Sequence, residues 1–138
     1  MSHASPPSKP LLLLAGGVAL GMLSWLAALA VSGRFEPYDS GMGLLANQLA
    51  LSVPAVFLAS RYRPSAPFLF LCGAYVGMNA YTYGFGGSEK KAWAALGAVT
   101  SLSLLLLPAV LVTVIAVIRR VRRVQAQRTN GGSRSGQP

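Results

Sequence analysis

The sequence predicts an all-α membrane protein, an antiparallel bundle of four transmembrane helices with cytoplasmic N and C termini. Three observations carry that expectation. Four apolar stretches, 11–31, 41–60, 66–85 and 92–118, contain no Asp, Glu, Lys, Arg or His. Each holds about 20 residues or more, which at roughly 1.5 Å per residue matches a hydrocarbon core of roughly 30 Å. The connections 32–40, 61–65 and 86–91 are five to nine residues long, so consecutive helices are expected to be antiparallel neighbours. Finally, nine of the twelve Lys and Arg residues (Lys9, Arg61, Arg63, Arg119, Arg120, Arg122, Arg123, Arg128 and Arg134) fall on one side of that plan. Arg34, Lys90 and Lys91, with all three acids, fall on the other. Basic residues next to a span stay cytoplasmic, so both termini are expected inside.

In chain order, residues 1–10 are expected to be a disordered cytoplasmic segment, 11–118 the bundle, and 119–138 a basic tail, helical at first and disordered after about residue 128. The first stretch has a competing reading: Lys9, the leucine run and Ala28-Leu29-Ala30 resemble the parts of a signal peptide covering residues 1–30. Its apolar run is longer than a usual h-region and rich in glycine, which favours a retained span. At about 100° per residue, Gly17, Gly21, Ser24 and Ala28 share one face. The second stretch groups Gly43, Asn47, Leu51 and Pro54. The third carries two faces, Gly73, Gly77, Ala80 and Gly84 on one and Cys72, Tyr75, Asn79 and Tyr83 on the other, and is expected to touch two partners. The fourth presents Ala94, Gly97, Ser101 and Pro108 together.

Inside lipid, helices associate through small residues and scarce polar links. Close packing is therefore expected at Gly17, Gly21, Gly73, Gly77 and Gly97, and the GxxxG spacings 17/21 and 73/77 are read as packing within one molecule before homodimerisation. Pro54 and Pro108 remove a backbone donor in mid-span, so kinks are expected and the carbonyls of Ala50 and Leu104 need other partners. Tyr38, Tyr81, Tyr83, Phe85 and Trp93 are expected to anchor the outer interface, and Tyr62, Phe68 and Phe70 the inner one. Arg119, Arg120, Arg122 and Arg123 close the fourth span and are expected to contact anionic lipid headgroups.

The polar side chains in the spans gather at one depth. Asn47 and Asn79 lie at matching distances from the outer face and are expected to bond to each other, with Ser24, Gln48, Thr100 and Ser101 in the same layer, some 10 Å down at about 1.5 Å per residue. Such a layer serves either as interhelical glue or as a shallow neutral cavity open to the outside.

The remaining chemistry excludes more than it assigns. The only histidine, His3, lies in a Ser- and Pro-rich segment; the single cysteine, Cys72, has no partner for a disulfide and no neighbouring base. There is no metal-ligand spacing and no phosphate-binding loop, so no catalytic residue, metal or cofactor is expected. No residue in a span ionises apart from Tyr and Cys72, which argues against proton or sodium coupling. The net charge of +9 marks orientation, so no nucleic-acid partner is expected. With 53% hydrophobic residues, 11% charged and a mean hydropathy of +0.51, little remains outside the spans to form a soluble domain. The expected function is non-enzymatic: an accessory, assembly or immunity-type protein acting through intramembrane helix contacts. The alternative is a small uncoupled channel or facilitator for a neutral polar solute. Expected partners are the bilayer, its anionic headgroups, and another membrane protein or a second copy. The expected location is the plasma membrane, multi-pass, as in a bacterial inner membrane.

Overall fold

A computed structural model describes residues 9–88 and 94–132, the side chains of 94 and 128–132 excepted. Every element is helical, and there is no strand among the described residues: α1 (Lys9–Ser32), a 3₁₀ turn (Pro37–Asp39), α2 (Gly41–Arg61), α3 (Ser65–Phe85), α4 (Ala94–Leu104) and α5 (Leu106–Gly132). The stretches α1, α2 and α4–α5 are long and apolar enough to cross a membrane, as membrane proteins require. The 21 residues of α3 are not among these three, because Tyr75, Asn79, Tyr81, Thr82 and Tyr83 lower the hydropathy of its second half.

Local chemistry sets the ends. Gly33 closes α1 in the left-handed conformation, φ +67°, its N–H on the Leu29 carbonyl at 2.8 Å. Ser40 caps α2, its hydroxyl accepting from the Gly43 N–H at 3.4 Å. Between α2 and α3, Tyr62 donates to the Leu58 carbonyl at 2.9 Å, and Pro64 stands at the N-cap of the next helix.

The tightest pairing joins α1 to α3, not consecutive neighbours. Gly17 faces the Phe70 carbonyl and Gly21 that of Ala74; Gly73 faces Leu14 and Gly77 faces Val18. Both members of each pair advance together, so α1 and α3 run parallel. A methyl group at any of the four positions would sit closer than 3.0 Å to the opposing carbonyl, which no real Cβ tolerates. α2 packs beside this pair, α4 lies on α3 and α5 on α2, leaving α1 at most a marginal contact with α4 or α5.

The fourth stretch, expected as one helix over 92–118, is two helices joined at Leu105. Pro108 cannot donate to Leu104, and the chain tightens there, with the Leu105 N–H on the Leu102 carbonyl at 3.1 Å. Pro54, by contrast, sits inside an unbroken α2. α5 runs on to Gly132, beyond the end expected near residue 128.

Buried side chains follow the small-residue faces unevenly. In α1 the expected ridge is buried in full, joined by Trp25. In α3 only Gly73 and Gly77 of their group are buried; Ala80 and Gly84 are exposed, and so are Cys72 and Tyr83 of the second expected face. The remaining buried positions of α3 are Ala66, Pro67, Phe70, Leu71, Ala74, Met78 and Tyr81.

Candidate functional site

The polar side chains expected to share one layer are wired differently from that expectation. Asn47 is fully buried, and its Nδ2 donates to Ser24 Oγ at 3.0 Å, joining α2 to α1; that hydroxyl in turn donates to the Gly21 carbonyl at 2.8 Å. The bond expected between Asn47 and Asn79 is not made. Asn79 instead turns its Nδ2 onto the Tyr75 carbonyl of its own helix at 2.8 Å. An amide one turn past a carbonyl can satisfy itself locally, and α3 presents its glycine face, not Asn79, to its main partner. Thr100 likewise donates to the Leu96 carbonyl at 2.9 Å, while Ser101 is buried on α4.

Gln48 has the most specific role. Its Nε2 donates to the Leu104 carbonyl at 2.9 Å, the very group that Pro108 deprives of a helical partner. One side chain of α2 thus completes the backbone at the α4–α5 joint. The Asn47 Oδ1 and Gln48 Oε1 acceptors, with Trp25 Nε1 and Ser52 Oγ, are buried without a partner among the described residues, so each amide is half satisfied there.

Above this layer, at the end of the bundle holding Gly33 and Phe85, an aromatic clasp closes the structure. Trp25 meets Phe35 edge-on at 5.6 Å, Phe35 stacks on Tyr81 at 5.8 Å, and Tyr81 tilts against Phe85 at 4.9 Å. Tyr81 and Phe70, expected as interfacial anchors, are buried in the core instead, because each falls on a face of α3 that other helices cover. Trp93 lies outside the described residues. In the nearby 3₁₀ turn the Tyr38 phenol is held above its usual pKa, first by partial burial, then by its hydrogen bond to Glu36 and the charges of Glu36 and Asp39.

The opposite end is open and basic. One cleft of about 970 Å³ is lined by Lys9, Leu12, Leu58, Tyr62, Arg63 and Cys72 among others. A second, of about 410 Å³, lies between the start of α3 and α5 and carries Arg119, Arg120 and Arg123 at its rim. The four arginines do not act alike. Arg119 donates through Nη1 to the Tyr62 carbonyl at 2.8 Å and also to that of Ala59, capping the last turn of α2. Arg120, Arg122 and Arg123 are exposed. Gly97, expected at a close contact, has nothing within 4 Å of where a Cβ would stand, because α4 lies on α3 less closely than α1 does.

Sequence reasoning identified the Leu104 carbonyl as an orphan but not its donor; a glutamine in a neighbouring span at similar depth was the available signal. Arg119 as a cap on another helix had no such signal. Among the described residues no group of three or more His, Cys, Asp or Glu side chains could hold a metal. Compared with known proteins, the chain matches no family model, no curated protein and no solved structure.

Proposed function

We propose that this is a four-span, multi-pass membrane protein with both termini in the cytoplasm, acting non-enzymatically as an accessory, assembly or immunity-type protein through helix contacts in the bilayer. The parallel register of α1 and α3 supports α3 as the fourth span. Gly17 and Gly21 lock it at the depth of α1, and Asn79 and Thr82 each meet a carbonyl of their own helix. The packed Gly17, Gly21, Ser24, Trp25 and Ala28 face also supports retention of α1 in the mature protein, which N-terminal sequencing would check.

The observation that carries the functional reading is that the intramembrane amide donors are spent on the bundle itself. Asn47 is bonded to Ser24 and Gln48 to the Leu104 carbonyl. A solute path through the polar layer would need those groups turned toward a lumen, whereas Ser24, Asn47 and Ser101 are buried. What the bundle offers to other molecules is its apolar outer surface and its basic rim. Nine of twelve basic residues on one side support the cytoplasmic assignment of that rim and a plasma-membrane location of the bacterial inner-membrane kind.

Two measurements test this. A reporter fused after Pro138 is expected to be active only on the cytoplasmic side; activity outside would overturn the orientation. Purification from native membranes in mild detergent is expected to bring down a stoichiometric membrane partner, and proteoliposomes of the purified chain are expected to be tight to small neutral solutes. Flux without a partner would establish the channel reading instead.

A further inference from the structure

We propose that the 410 Å³ cleft between the start of α3 and α5 binds one anionic phospholipid, with its phosphate on Arg120 and Arg123 and an acyl chain against Phe68, Val112 and Ala116. The cleft is built as an amphiphile is built. Val112, Ala116, Arg119, Arg120 and Arg123 all line it, and at about 100° per residue they fall within an arc of about 100° on α5. Along that stripe the chemistry changes from apolar to basic over roughly 16 Å, at about 1.5 Å per residue. The facing wall, Pro64, Pro67 and Phe68, is apolar and lies at the N-cap and first turn of α3.

Charge complementarity selects the occupant. Arg119 is committed through Nη1 to the Ala59 and Tyr62 carbonyls, which fixes its position against the last turn of α2. Arg120 and Arg123 are exposed, and no hydrogen bond engages either guanidinium among the described residues. Two free arginines stand above a slot in which Thr113 is the one polar side chain below the rim, its hydroxyl already donating to the Ala109 carbonyl. An acidic peptide therefore finds little to bond there, whereas a phospholipid meets both halves. Arg122, next to Arg123 on the helix but about 100° away, is exposed and does not line the cleft, so it carries the same charge at the same depth without the geometry.

The test is native mass spectrometry of the purified full chain released from nanodiscs of dioleoylphosphatidylglycerol and dioleoylphosphatidylcholine in equal parts. Both leaflets are identical there, so the result is independent of the orientation and role proposed above. One phosphatidylglycerol is expected to be retained in preference to phosphatidylcholine. Arg120→Gln with Arg123→Gln should lower that retention about tenfold or more, at the contribution usual for an arginine near anionic lipid, while Arg122→Gln should leave it unchanged. Ala116→Phe, which fills the slot and keeps every charge, should lower it as much as the arginine pair does. Equal loss in Arg122→Gln would show only diffuse attraction and overturn the proposal. So would equal retention of phosphatidylcholine, or displacement of phosphatidylglycerol by millimolar inorganic phosphate, which would mark a phosphate site without an acyl slot.

Discussion

The seam between α1 and α3 and the joint between α2 and the α4–α5 stretch hold helices together by opposite means. At the first, side chains have been removed: Gly17, Gly21, Gly73 and Gly77 bring backbone against backbone, and among the described residues no side-chain hydrogen bond joins the two ridges. At the second, a side chain has been added: Gln48 reaches across to a carbonyl that Pro108 has orphaned. Apolar burial distinguishes helix from lipid poorly, since lipid tails are as apolar as leucine, so a membrane bundle needs shape or hydrogen bonds for specificity. Shape gives a rigid contact that tolerates no added atom. The hydrogen bond tolerates change if the backbone defect it serves is removed as well.

That contrast can be broken in order of expected effect. Gly21→Ile and Gly77→Ile should each destabilise the bundle by about 1–3 kcal/mol or more, through overpacking against a carbonyl that cannot move. Unfolding midpoints in SDS-containing mixed micelles would read this, with Gly84→Ile, which points into open space, as the silent control. Equal behaviour of Gly21→Ile and Gly84→Ile would remove the glycine seam from the account.

Gln48→Leu should cost about 1–2 kcal/mol by stranding the Leu104 carbonyl. The same substitution in a Pro108→Ala background should cost much less, because an alanine at 108 supplies the missing N–H. A double-mutant cycle measures this directly, and two additive substitutions would sever Gln48 from the joint.

Asn47→Leu should change stability by about 1 kcal/mol or less, since the lost bond to Ser24 is offset by the disappearance of the unpartnered Oδ1. Its readout is the same unfolding midpoint, and a loss as large as that of Gly21→Ile would mean that the Asn47–Ser24 link holds the bundle as strongly as the glycine seam does. Smallest of all, Gly97→Ala should leave the midpoint unchanged or slightly raised: its Cβ meets no neighbour, and alanine is the better helix former.

Much of this was legible in the chain. Charge-free stretches of membrane length, the basic end, the glycine face of α1 and the orphaned Leu104 carbonyl all follow from spacing and from what proline lacks. The misreadings share a cause. For Asn79, Tyr81 and Phe70 the sequence supplies depth, and depth does not say which way around the helix a residue points relative to its partners. At Gly97 small size permits a close approach without requiring one.

Composition and periodicity by themselves determined that this protein is helical, that its stretches suit hydrocarbon and which end is basic, because those depend only on local propensity and on the solvent each residue can bear. Tertiary structure alone decided that α1 pairs parallel with α3, that Asn47 serves Ser24 and Gln48 the Leu104 carbonyl, and that Arg119 caps α2. Each of these requires two distant segments at one height and angle, and that relation exists only once the helices have packed.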